Sequence, residues 1–111
     1  MDLIAEDCGD YLLIRALGDR IDAAGAIGFK DKMRELAQTD HPRVVLDMSR
    51  VAFLDSSGLG AIVAAMKGLG ANRKLEILSL TPTVEKVFRL TRMDTIFTIH
   101  TELSEGLRNA V

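Results

Sequence analysis

The strongest constraint on this chain is the regular alternation of short strand-like runs with helix-like runs along its length, with no repeat and no linker between them. Asp2–Asp7 and Tyr11–Leu17 read as a hairpin turning around Asp7, Cys8, Gly9 and Asp10. Cys8 is expected there as a surface thiol. A helix is predicted from Asp22, as N-cap, to Gln38, with Ala26, Phe29, Met33 and Leu36 on one face. Lys30, Asp31, Lys32, Arg34 and Glu35 fall on its remaining surface, and Thr39, Asp40, His41 and Pro42 end it. Arg43–Met48 is a continuous apolar run of the kind that suits a strand covered on both sides. Val51–Leu54 continues as an extended piece.

The next helix, Ser57–Leu69, carries charge only at Lys67. It is apolar nearly all round and so is expected to be largely buried. Lys74–Leu78 reads as a strand. Thr81-Pro82 opens a third helix with proline at its first position, and Val84, Val87, Phe88 and Leu90 face inward. Thr95–Ile99 alternates as a final strand, and a last short helix carries Leu103 and Leu107. The order β-β-α-β-α-β-α-β-α specifies an α/β fold, with a mainly parallel sheet, right-handed crossovers and an antiparallel hairpin at the start. At 111 residues the expectation is one domain, residues 1–111.

Several functional classes fit poorly. The net charge is −2 with basic and acidic residues interspersed, so there is no basic stripe to track a nucleic acid. The longest uncharged stretch, Ser56–Met66, is too short to span a bilayer, which takes about 20 apolar residues. The first ten residues lack a secretory pattern, and the lone cysteine can form no internal disulfide, which together point to the cytoplasm. His41 and His100 lack partners at metal-ligand spacing, and no phosphate-binding GxxxxGK loop occurs. Gly58-Leu59-Gly60 follows an extended segment, but Val63 stands where a dinucleotide site needs its third glycine. A serine-hydrolase elbow would need glycine where Asp55 stands, and His100 is its only remote candidate base. The expectation is a non-enzyme without cofactor or metal.

What remains is Asp55-Ser56-Ser57-Gly58 at the mouth of the apolar helix. Asp and Ser are good N-caps and Gly permits close packing, so capping explains much of it. A single cap needs one such residue, and here there are three in a row. A hydroxyl at a helix N-terminus also stands where free N–H groups and the helix dipole favour an anion, so a phosphate would be tolerated there. Local physics leaves both roles open.

Val44-Val45-Leu46-Asp47-Met48-Ser49 followed by Val51-Ala52-Phe53-Leu54-Asp55-Ser56-Ser57-Gly58-Leu59-Gly60 resembles the signature of STAS domains, and specifically of bacterial anti-sigma factor antagonists. The likeness extends to Asp22 before the first helix and to the helix around Thr83–Phe88. It departs at Asp19, where the family commonly has glycine, and at Ala23-Ala24-Gly25, which lacks a Thr or Ser often found after the aspartate.

The resemblance implies that Ser57 is the phosphoacceptor of a partner that is both anti-sigma factor and serine kinase. It also implies that a separate PP2C-type phosphatase reverses the modification. Asp22, Asp55, Ser56, Gly58, Leu59 and Gly60 are implied as site-flanking or partner-binding residues, with Ser56 capping the helix or shaping the loop. Two other roles known for such domains are a subunit docked on the ATPase of a lipid-transport complex and a scaffold in a stress-sensing assembly.

Overall fold

The computed structural model describes residues 1–102. Strands β1 (Leu3–Asp7) and β2 (Tyr11–Ala16) form the expected antiparallel hairpin. The chain continues through β3 (Arg20–Ile21), α1 (Ala26–Leu36), β4 (Arg43–Asp47), β5 (Phe53–Leu54) and α2 (Ser56–Gly68). It closes with β6 (Lys74–Leu78), α3 (Pro82–Leu90), a 3-10 turn at Met93–Thr95 and β7 (Ile99–His100). The main sheet has the order β1-β2-β4-β6-β7, parallel except for the hairpin, while β3 and β5 pair as a separate parallel ribbon. The helix expected around Leu103 and Leu107 lies outside the described residues.

Strand β4 occupies the centre, and Val44, Val45 and Leu46 are all fully buried, as a run without alternation requires. The register sets Leu12, Val44 and Leu75 in one row and Ile14, Leu46 and Ile77 in another. Both rows join the main core with Phe29 and Met33 of α1, Leu59 and Ile62 of α2, and Val84 and Phe88 of α3. Phe88 and Phe97 meet edge to face with ring centroids 5.9 Å apart. Burying a side chain such as Phe29 or Ile62 contributes about 1.5–3 kcal/mol, so this layer anchors both helices that flank the site.

The other face of the sheet carries a smaller cluster of Leu13, Val45 and Leu78, with Tyr11 and Cys8 against it. Beside them Glu76, almost fully buried, accepts hydrogen bonds from Arg43 (Nε 2.5 Å, Nη2 2.8 Å) and lies 2.7 Å from His100 Nε2. Burial pushes the Glu76 carboxyl up, but the bonds from Arg43 and His100 outweigh it and hold it below its ordinary value. At the end of β1, His41 Nε2 lies 2.8 Å from Asp7, whose carboxyl is lowered chiefly by that bond and next by the Gly9 amide.

The structure corrects three local expectations. Asp22 does not cap α1: the N-cap is Gly25, and Ala23–Gly25 form a turn in which the Gly25 amide donates to Asp22 Oδ1 at 3.2 Å. The stretch Thr95–Ile99 is not one strand, because the 3-10 turn takes Thr95 and pairing with β6 involves only Ile99 and His100. Phe97 has left the sheet to fill the core beside Phe88. Leu90, expected to face inward, is 75% exposed at the end of α3, whereas Cys8 sits half-buried at the hairpin turn as a surface thiol can. By contrast, Thr81 and Pro82 open α3 as the sequence indicates, and the Thr81 hydroxyl donates to the Val51 carbonyl at 2.7 Å.

Candidate functional site

The site is built where two loops on the same side of the fold converge at the start of α2. Asp55 is extended (φ −99°, ψ −177°) and caps α2, its Oδ1 accepting from the Gly58 amide at 2.8 Å. Its other oxygen, Oδ2, accepts from the Ala23 amide at 3.2 Å, 32 residues away in sequence. One carboxylate thus holds both the helix end and the turn before α1. The β3–β5 ribbon fastens the same region from below: the Ala52 and Phe53 amides donate to the Asp19 carbonyl, and the Asp55 amide to the Ile21 carbonyl.

Gly58 is the tightest point. A β-carbon there would overlap the carbonyl oxygen of Ile21 and come within 2.8 Å of both the Ile21 carbon and Leu54 Cδ1. Only glycine lets the first turn of α2 lie against the β3 backbone. Leu59 points into the core. Ser56, Ser57 and Gly60 are exposed, and neither serine hydroxyl makes a hydrogen bond among the described residues. Of the residues singled out from sequence, Asp55, Ser56, Ser57 and Gly60 therefore shape the surface, while Gly58 and Leu59 hold it from inside.

Asp22 stands beside this surface but is not a bare charge, since Arg20 Nε lies 3.2 Å from its Oδ2 and the Arg20 guanidinium stacks 4.9 Å over the Phe53 ring. Across a shallow groove of about 180 Å³, Ser57 faces Ile27 and Lys30 of α1. Sequence patterns missed Arg20, Ile27 and Lys30. A two-residue strand has no period to detect, and Ile27, left 71% exposed, lies off the apolar face that the helical spacing picks out. His100 sits on the opposite face of the sheet, bonded to Glu76, so it makes no nucleophile–base pair with Ser57.

A family model for the STAS domain matches residues 4–106. The chain belongs to the STAS domain family. Solved structures agree with this STAS fold. An anti-sigma factor antagonist from Mycobacterium paratuberculosis superimposes with a TM-score of 0.83 at 24% identity, over 96% of this chain and 90% of that one. SpoIIAA in its unphosphorylated form gives 0.69 at 24% identity over 88% and 87%. The Bacillus SpoIIAA in its phosphorylated form gives 0.61 at 24% over 88% and 90%. At this level of identity the likeness is one of fold.

Within this STAS domain the chemistry available at α2 is that of a displayed hydroxyl. Ser57 is the second residue of the helix, where backbone N–H groups lie beyond the reach of intrahelical partners. Added negative charge there gains about 0.3–2 kcal/mol from the helix end. The Asp55 cap and the Gly58 contact hold that end in place. Among the described residues no helix is long and apolar enough to cross a membrane.

Proposed function

We propose that this STAS domain is an anti-sigma factor antagonist that works by partner switching in the cytoplasm, with Ser57 as the phosphoacceptor and residues 1–111 acting as one domain. Unphosphorylated, it binds an anti-sigma factor with serine kinase activity and so frees the sigma factor. Phosphorylation of Ser57 releases it, and a PP2C-type phosphatase resets it. The observation that carries this reading is the exposed Ser57 hydroxyl on a helix end locked by Asp55 and Gly58.

The physics needs no large rearrangement. A phosphate adds about −1.5 to −2 charge at pH 7. The helix terminus accommodates it in the free domain, whereas a partner covering Ser57 has to strip water from it. A hundredfold loss of affinity takes only about 2.8 kcal/mol, within the cost of one poorly compensated, half-buried charge. The kinase brings nucleotide and catalytic groups; this chain supplies the hydroxyl and the surface around it.

The test is quantitative binding to the anti-sigma factor kinase of the same host. Ser57→Ala is expected to bind like the unmodified protein and to accept no phosphate, and Ser57→Asp to bind more weakly by at least about tenfold, or 1.4 kcal/mol. Mass mapping after incubation with kinase and ATP is expected to place the phosphate on Ser57. Equal affinities of the two variants, or phosphate found only elsewhere, would refute the reading.

A further inference from the structure

The groove beside Ser57 does not end there. Lys30 and Ala64, which line it, also line a larger cavity of about 560 Å³ that continues between α1 and α2 toward their C-terminal ends. Its inner wall is apolar, made by Met33, Ala37, Ala65 and Leu69. Its rim carries three cations, Lys30, Arg34 and Arg73, against the single carboxylate of Asp40.

That local excess of positive charge stands out on a chain whose net charge is −2. Lys30 makes no ion pair among the described residues. Arg34 is paired with Asp31 at 3.3 Å on the exposed side. Arg73 donates to the carbonyls of Ala37 (2.8 Å) and His41 (2.7 Å) and to the Thr39 hydroxyl, which fixes its charge in place without a carboxylate to cancel it.

The cleft and the Ser57 groove each carry a glycine that local packing does not require, Gly68 in the first and Gly60 in the second. A β-carbon added at Gly60 or Gly68 would meet nothing within 4 Å. Each nevertheless weakens a helix relative to alanine. Their effect is to let another backbone approach α2 closely. The flanking helices, of 11 and 13 residues, run for about three turns at roughly 1.5 Å rise per residue, which sets the length along which a docked helix lies against the trough.

We propose that this α1–α2 cleft is a second docking site, continuous with the Ser57 surface, that receives an acidic amphipathic helix of the protein partner. Apolar side chains of that helix enter between Met33 and Leu69, and its carboxylates meet Lys30, Arg34 and Arg73, the helix-in-groove mode of recognition. Charge complementarity and continuity with the Ser57 surface argue for this occupant. The identity of the partner, though not the chemistry of the cleft, rests on the function proposed above. Lys30 lies on both cavities, so a phosphate on Ser57 competes with the partner's carboxylates for the same ammonium, which couples the second site to the first.

The test titrates the isotope-labelled chain with a synthetic 16-residue helical peptide bearing leucines on one face and glutamates on its flanks. A matched peptide with lysines in place of the glutamates, and anionic phospholipid vesicles, serve as comparisons. The glutamate peptide is expected to shift the amides of Arg34, Ala64, Ala65 and Gly68, and the lysine peptide and vesicles to leave them in place. Lys30→Glu combined with Arg34→Glu, both exposed and outside the core, is expected to weaken the glutamate peptide at least tenfold, about 1.4 kcal/mol, while the far-ultraviolet spectrum stays unchanged.

Shifts scattered over the surface, equal response to both peptides, or vesicle binding at the same residues would overturn the proposal. With the host's anti-sigma factor kinase as probe, the two readings separate. Ser57-dependent binding that ignores the charge reversal sinks the cleft and leaves the switch standing. Occupation of the cleft by the glutamate peptide without any binding of the kinase sustains the cleft and sinks the switch.

Discussion

Gly58→Ala isolates the contact on which the site is built. The new methyl group would overlap the Ile21 carbonyl oxygen and crowd Leu54 Cδ1. An ordinary carbon–oxygen approach is about 3.3–3.6 Å, so the start of α2 has to withdraw from β3 by on the order of 1 Å. Withdrawal stretches the 2.8 Å bond from Gly58 to Asp55, the 3.2 Å bond from Ala23 to Asp55 and the already long 3.4 Å bond from Asp55 to Ile21. Overpacking of this kind costs about 1–3 kcal/mol, and a weakened N-cap about 0.5–2 kcal/mol. Alanine's better helix propensity returns about 1 kcal/mol. The expected net loss is about 2–3 kcal/mol, a fall in melting temperature on the order of 10 °C for a domain of this size.

Gly60→Ala, two residues on, is the internal control. Its β-carbon meets nothing within 4 Å, so it should stabilise α2 by up to about 1 kcal/mol while crowding the partner side of the groove. Urea unfolding followed by circular dichroism reads both variants. Changes of equal sign, or a Gly58→Ala variant within about 0.5 kcal/mol of the parent, the usual span for surface substitutions, would refute the argument that α2 is set against the Ile21 backbone.

Two further predictions concern carboxylates. Asp55→Ala removes the α2 cap and the bridge to Ala23 together and should cost about 1–2 kcal/mol, with Asp55→Asn retaining part of it; thermal unfolding checks the order. The folded-state carboxyl of Glu76 lies below its unfolded value of about 4.5, so the unfolded chain takes up that proton first as pH falls. The stability Glu76 contributes is therefore complete above about pH 4.5 and is lost as pH falls toward and through the lower folded value. Urea midpoints measured across this range should decline more steeply for the parent than for Glu76→Gln. At neutral pH that variant should be less stable by about 3 kcal/mol, because Arg43 keeps its charge in a largely buried position with its partner gone.

The sequence alone determined the elements whose cause is local. The unbroken run Val44-Val45-Leu46 announces a central strand, Thr81-Pro82 a helix start, and Asp55-Ser56-Ser57-Gly58 a helix mouth with a spare hydroxyl. Periods of 2 and 3.6 residues and the chemistry of caps act over a few residues, so they are written where they can be read. Tertiary structure decided what depends on approach between distant segments. It turned Asp22 from a helix cap into the anchor of a turn paired with Arg20. It joined Asp55 to Ala23, folded Phe97 into the core and made Gly58 obligatory by laying it on the Ile21 carbonyl. It brought Lys30, a surface residue by pattern, to face Ser57 across a groove. No local pattern encodes such meetings, because each exists only once the sheet has fixed the separation and register of the segments that make it.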